Sequence, residues 1–256
     1  MTKKLDNLGD RLKAYERMET ECKFLPTLPV YARIDGRCFS RFTKGMKRPY
    51  DETMSRIMQE TTKYLVEQTG ALTGYTQSDE ISLIWYSDDP KSEIFFCRKK
   101  QKMTSILAAI ATAKFVELAL KEFPEKCTKS LPTFDARVFQ VPSVVEGMNC
   151  FLWRVQDAVK NSVTMAASTV YSHKDLLNKN SADKMDMLME KGINWSNYPR
   201  FFKEGSFFKR QEYDKNGAVR TKVVECQVFD KFKDLTTDEK VDFIFKKKLG
   251  VINELD

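Results

Sequence analysis

The chain has 256 residues, long enough to bury a sizeable core as one large domain or as a domain with an appended helical part. Its 43 Lys plus Arg exceed its 36 Asp plus Glu, a net charge of +7 that is compatible with an acidic partner without requiring one. The six cysteines, Cys22, Cys38, Cys97, Cys127, Cys150 and Cys226, form no C-x-x-C pair, so reduced thiols are expected rather than a disulfide framework or a zinc site.

The opening "MTKKLDNLGDRLKAYERMETECKF" lacks the apolar segment of a signal peptide and reads as a polar amphipathic helix. With no run of about 18 apolar residues, no membrane span is expected, and the cytoplasm is the expected location. Val30, Ala32 and Ile34 alternate with Tyr31 and Arg33, the period of a strand that ends at Asp35-Gly36. Asp51 is placed to cap a helix running to about Gln68, which Gly70 stops. Strands follow on either side of Ser78-Asp79-Glu80. The next helix carries Met103, Ile106, Leu107, Ile110, Ala113, Val116 and Leu120 on one face and stops at Pro124. "FDARVFQVPS" (134–143) reads as a fourth strand.

The order is βαββαβ, a ferredoxin-like α+β arrangement. Beyond it the pattern turns helical: a helix through "GMNCFLWRVQDAVKNSVTMAASTVYS", a shorter one from a Ser181 cap to Gly192, a hairpin over 206–228 turning at Asn216-Gly217, and a last helix from a Thr236/Glu239 capping box to near Gly250. Residues 1–143 are thus expected to form an N-terminal helix and an α/β domain, and residues 144–256 a helical part with a hairpin, packed against it as one body.

Adjacent carboxylates at a hairpin tip are ordinary turn chemistry taken alone. In a βαββαβ sheet, however, the first strand lies beside the third, so Asp35 and Asp79 meet at neighbouring strand ends, as a pair of hard cations requires. A single histidine, His173, excludes chemistry that needs two imidazoles, so a catalytic metal takes oxygen ligands, which favours magnesium. The methionines Met185, Met187 and Met189 and the aromatics Phe201, Phe202, Phe207 and Phe208 are expected to pack rather than to stack on bases.

"RIDGRCFSRFTKGMKRPYD" (33–51), "YTQSDEISL" (75–83), "FDARVFQVPS" (134–143), "WRVQDAVKNSV" (153–163) and "YSHKDLLNKNSADKMDMLMEKGINWSNYPRFFKEG" (171–205) together resemble the tRNA-His guanylyltransferase family, in the right order across roughly residues 5 to 215. The last stretch is similar to its bacterial and archaeal-type members. The resemblance implies a polymerase-palm-like domain that adds nucleotides to the 5′ end of tRNA in the 3′–5′ direction, with two Mg2+ ions, GTP and ATP as substrates, and a homotetrameric assembly.

Residue by residue, it implies metal ligands at Asp35, the Gly36 carbonyl and Asp79, with Glu80 as an acidic neighbour. It also implies a nucleotide cradle from Asp35 through Gly36, Arg37, Cys38 and Phe39 to Ser40, joined by Arg48 and Ser78. Asp51 is a helix cap first and a nucleotide contact second. Lys99 and Lys102, one turn apart at a helix start, match a basic pair suited to triphosphate. Asp157, Asn161 and His173 are either tRNA-facing or structural, the first two as a helix–helix hydrogen-bond pair in the core.

"DAVKNS" departs from the eukaryotic His-Ile-Asn-Asn run: Val159 replaces the histidine, and Asn161 matches in both. This favours template-directed extension of truncated tRNA over obligate guanine addition to tRNA-His. Two other readings are open. A nucleotide cyclase or cyclic-dinucleotide synthase would need nucleotide alone, and a non-catalytic basic RNA-binding module would be indifferent to loss of Asp35 or Asp79.

Overall fold

Val30, Ala32 and Ile34 are fully buried on one face of strand β1 (Val30–Arg37), the alternation expected of them. β1 runs one residue further than the sequence suggests. The structure is a computed structural model that describes residues 7–216, 218–226, 232 and 235–247. The remaining strands are β2 (Thr73–Gln77), β3 (Glu80–Trp85), β4 (Thr133–Gln140), β5 (Ser206–Lys215) and β6 (Ala218–Cys226). They form one sheet in the order β4-β1-β3-β2-β5-β6, with every neighbouring pair antiparallel. The C-terminal hairpin therefore extends the sheet begun by the first four strands. The hairpin turns after Lys215 as expected, while Gly217 of the predicted turn and the predicted helix end at Gly250 lie outside the described residues.

On one face, helices α3 (Glu52–Thr69) and α4 (Lys100–Glu122) close a core around Val30, Ala32, Ile34, Leu83, Leu107 and Phe115. Asp51 caps α3 by accepting from the Met54 amide at 3.0 Å, and Gly70 ends it at φ 70, a left-handed conformation open to glycine. The buried face of α4 is Met103, Leu107, Ala111, Phe115, Leu118 and Ala119, whereas Ala113 and Leu120, expected inside, are exposed. A stripe drawn through 103, 107, 111, 115 and 118 follows the 3.6 period more closely than the one inferred. α4 is long and apolar enough in composition to cross a bilayer, but its apolar face packs in this core and Lys114 pairs with Glu117 outside it.

The other face is covered by α6 (Val144–Ala167) and by α9 (Thr237–Phe245), which pack Phe151, Val155, Phe243 and Ile244 on Tyr31, Tyr75 and Phe207. Lys209 on β5, 1% exposed, donates to the Phe243 and Lys246 carbonyls, so its ammonium caps the C-terminal end of α9. The Thr236/Glu239 capping box starts α9 as expected. The chain between α6 and β5 forms α7 (Ser181–Glu190) and the short α8 (Arg200–Lys203) around a third cluster with Leu176, Leu188 and Phe202. Asn180, not Ser181, caps α7. Also unforeseen are α1's lack of any buried residue (Asn7–Thr20), the single turn α2 (Phe39–Phe42), and α5 (Pro124–Lys129).

Candidate active site

Strand direction decides where the acids gather. β1 and β2 end, and β3 and β4 begin, at one edge of the sheet, because β1 is antiparallel to both β3 and β4 and β2 to β3. At that edge Asp35 stands directly opposite Glu80 on one side and Asp135 on the other, so three carboxylates share a row on one face. The Gly36 amide donates to the Asp79 carbonyl at 3.0 Å, tying the end of β1 to the β2–β3 turn. Gly36 has a steric reason to be glycine: a Cβ there would lie 2.4–2.8 Å from the Phe39 ring, itself packed on Phe42, Phe115 and Phe134.

Two residues beside the acids, Cys38 at φ 57 and Ser78 at φ 54, hold left-handed backbone, which costs a residue with a Cβ roughly 1–2 kcal/mol. Ser78 donates to the Asp79 carboxylate at 3.0 Å. Desolvation pushes the Asp79 carboxyl up; the Ser78 hydroxyl pulls it partly down, and the Asp35 charge adds to the rise. A cation between them would relieve both effects. The donor set is oxygen only, as magnesium prefers. Among the described residues no three acidic, His or Cys groups form a ready-made cage. That is compatible with magnesium, which keeps waters and uses one or two carboxylates together with substrate phosphates.

A cavity of about 310 Å³ opens beside Asp79. Ser40, Arg48, Asp51 and Ser78 give it a polar side, and Tyr50, Phe201 and Phe202 an aromatic wall that Met165 adjoins. Tyr50 meets Phe201 edge-on at 5.3 Å and Phe202 at 4.9 Å. Of the expected cradle from Asp35 to Ser40, only Phe39 and Ser40 line this cavity. Arg37 and Cys38 are exposed outside it. Asp51 caps α3 as expected and also lines the cavity.

Glu80 points along α6 rather than into the cavity. Arg154 donates to it at 2.6 Å and to Asp157 at 2.9 Å, and Asn161 donates to the same Asp157 oxygen at 3.0 Å. Burial pushes the Glu80 carboxyl up and Arg154 draws it partly back, with Arg33 at 3.9 Å adding a weaker pull. The short charge-assisted bond keeps the pair ionised at neutral pH. Asp157 and Asn161 therefore pair along one helix on its more exposed side, and the alternative of a helix–helix pair in the core does not hold. His173 is exposed in the turn after α6.

Lys99 and Lys102 are not brought to this edge. Lys99 pairs in a bridge with Lys23, and the Lys100 amide donates to Cys22, so the start of α4 sits by the chain entering β1 at Val30. Asp35 lies roughly 17 Å further along that strand. The two lysines face Lys13 and Arg17 of α1 across a separate hollow, with Lys99 3.8 Å from Glu21.

A model of the tRNAHis guanylyltransferase family matches residues 9–142, over half of the chain. The chain belongs to the tRNAHis guanylyltransferase family. It is 31% identical to the tRNA(His) guanylyltransferase of Saccharomyces cerevisiae over 76% of this chain and 88% of that protein. It is 29% identical to an uncharacterized protein of Acanthamoeba polyphaga mimivirus over 94% of this chain and 89% of the relative. Among solved structures, a bacterial tRNA(His) guanylyltransferase-like protein in complex with ATP superposes with a TM-score of 0.74 at 39% identity, covering 85% of this chain and 91% of that one. A bacterial counterpart in complex with GTP gives 0.71 at 32% identity, covering 92% and 99%.

Within this tRNAHis guanylyltransferase-family fold, several residues at the site carried no role in the sequence reading. Asp135 and Arg137 follow from the register of β4 on β1, and Arg154 from its i, i+3 spacing to Asp157 in a motif already singled out. The cavity wall joins Tyr50, Met165 and Phe201 from three distant segments, and no local pattern announces it. Packing holds as expected for Phe207 and Phe208; Phe202, though buried, also lines the cavity, and Met189 is 57% exposed.

Proposed function

We propose that this chain is a nucleotidyltransferase that extends the 5′ end of tRNA in the 3′–5′ direction, choosing each nucleotide by pairing with the facing strand. Supporting this are its family, the ATP- and GTP-bound bacterial proteins it resembles, and "DAVKNS" in place of the eukaryotic histidine run. The observation that carries the reading is that Asp79, which lines a cavity with an aromatic side, is tied through the Gly36 amide to the end of the strand that carries Asp35. Such a cavity suits a base against the Tyr50–Phe201–Phe202 wall and a polar ribose and triphosphate near Arg48, Ser78 and Asp79.

Asp35, Asp79 and the Gly36 carbonyl would hold the magnesium, which when bound neutralises triphosphate charge and lowers the pKa of an attacking hydroxyl. The chain itself supplies position. The strained Ser78 turn and the Gly36 bond fix the two carboxylates relative to each other, and the Glu80–Arg154 pair stiffens the row behind them. An oxygen of the 5′-monophosphate first bonds to the α-phosphorus of ATP or GTP as pyrophosphate leaves. The 3′-hydroxyl of the incoming nucleotide then bonds to the activated 5′-phosphorus, losing its proton to solvent, as the nucleoside monophosphate leaves. No side-chain nucleophile is required. Scattered free cysteines accord with a reducing cytoplasmic setting.

The test is extension of 5′-labelled, 5′-truncated tRNA with each nucleoside triphosphate in turn. Extension by wild type and not by Asp35→Asn or Asp79→Asn is expected. Product from nucleotide alone would instead support a cyclase on the same sheet.

A further inference from the structure

Trp153 stands 52% exposed on α6, more than is usual for so large an apolar ring in a monomeric fold. It is nevertheless held. The Arg33 guanidinium lies 5.6 Å from its ring centroid and that of Arg154 4.6 Å, and both arginines are themselves anchored by Glu80. The ring is therefore fixed in place with a large part of its surface left to solvent.

Its position relative to the acids gives it a purpose. α6 starts by Pro29 and Ile84, where Gly147 packs, passes Glu80 at Arg154, and reaches the nucleotide cavity at Met165. Trp153 and Met165 are separated by roughly 18 Å of helix, with Glu80 bound to α6 on the Trp153 side of that span. The cavity thus opens on one side of the acids and Trp153 stands on the other. Around Trp153 the described residues leave the sheet open: Arg137 and Phe139 of β4 are exposed on the same face as Arg33, and Arg37 follows Asp35 on β1. An aromatic ring flanked by arginines, on an open face beside carboxylates, is the chemistry of a base-stacking platform with phosphate contacts nearby.

We propose that Trp153 is the platform on which the terminal base at the 5′ end of the acceptor RNA stacks, with Arg33 and Arg137 beside its phosphates, while the incoming nucleotide occupies the cavity across the acids. This rests on the function proposed above and adds where the RNA end lies.

The test uses the full chain and a tRNA transcript with 2-aminopurine as its first nucleotide. Wild type and Trp153→Phe should quench the 2-aminopurine on binding, and Trp153→Ala should not. Trp153→Ala should raise the tRNA KM on the order of 5- to 150-fold, the loss of one stacked base, with the nucleotide KM little changed. Recovery of most of that loss in Trp153→Phe separates stacking from bulk effects, and circular dichroism of each variant checks the fold. Unchanged quenching and tRNA KM in Trp153→Ala would overturn the proposal. A nucleotide KM that rises while the tRNA KM stays constant would also overturn it, assigning the ring to the nucleotide instead. Should wild type quench the probe yet add no nucleotide, the proposed function fails and the platform stands.

Discussion

Replacing Arg154 with Met would leave Glu80 without its 2.6 Å partner in a site where its side chain is only 15% exposed. Arg33, at 3.9 Å, holds it more weakly and offsets only part of the loss. Breaking a fully buried ion pair from one side costs about 3–5 kcal/mol; the open edge of this site lowers that to about 2–4 kcal/mol. For a chain of this size each kcal/mol shifts Tm by roughly 2–4 °C, so Arg154→Met should melt about 4–16 °C lower. The pH dependence follows from the direction of the Glu80 shift. Burial already raises this carboxyl above its ordinary 4.5, and losing Arg154 raises it further. Folded Glu80 then binds its proton at a higher pH than the unfolded chain does, so stability falls as pH rises from about 4.5 through the folded pKa. The deficit of Arg154→Met should therefore be largest at neutral pH and shrink on acidification toward 4.5. Adding Glu80→Gln should recover much of it, because no buried charge is left unpaired. Thermal melts of wild type, both single variants and the double variant across that range supply the cycle. An Arg154→Met Tm equal to wild type, or a deficit that Glu80→Gln does not reduce, would refute the reasoning.

Asp79→Asn should abolish nucleotide addition while keeping or slightly raising Tm, because it removes a desolvated charge next to Asp35; a marked loss of stability on melting would contradict this. Gly36→Ala drives a Cβ into the Phe39 ring and should cost about 1–3 kcal/mol in urea unfolding, with reduced activity, since the ring is locked among three other phenylalanines. Desolvation holds the Lys209 amine down to about 8, below its ordinary 10.5. Between those values the unfolded chain binds the extra proton, so this residue's contribution should rise with pH across that window and fully oppose folding below about 8. Comparing wild type with Lys209→Met by chemical denaturation at several pH values from 7 to 10 checks the sign.

The parts of the fold that local chemistry specifies were legible in the sequence. Alternation marked β1, Asp51 and Gly70 bracketed α3, and Thr236 with Glu239 opened α9, because each depends on residues a turn or less apart. The meeting of Asp35 with the β2–β3 turn was also legible, since βαββαβ order alone puts β1 beside β3. Lys99 and Lys102 show where motif matching outran topology. α4 follows β3, whose far end is Trp85, and its first turn lies by Lys23, away from Glu80. The aromatic wall and the Glu80–Arg154–Asp157–Asn161 chain depend on how α6 crosses the sheet, a tertiary outcome that no window of sequence contains.

The measurement that bears most directly on the proposed function is nucleotide choice on truncated tRNA. A transcript lacking its first nucleotide is offered with C, A, G or U at the facing position near the 3′ end, together with magnesium and all four triphosphates. Pairing and stacking lost by a mismatch, about 2–3 kcal/mol, should give roughly 30- to 150-fold preference for the complementary nucleotide, changing each time the facing base changes. Addition of G regardless of the facing base, or no addition to any transcript, would contradict it.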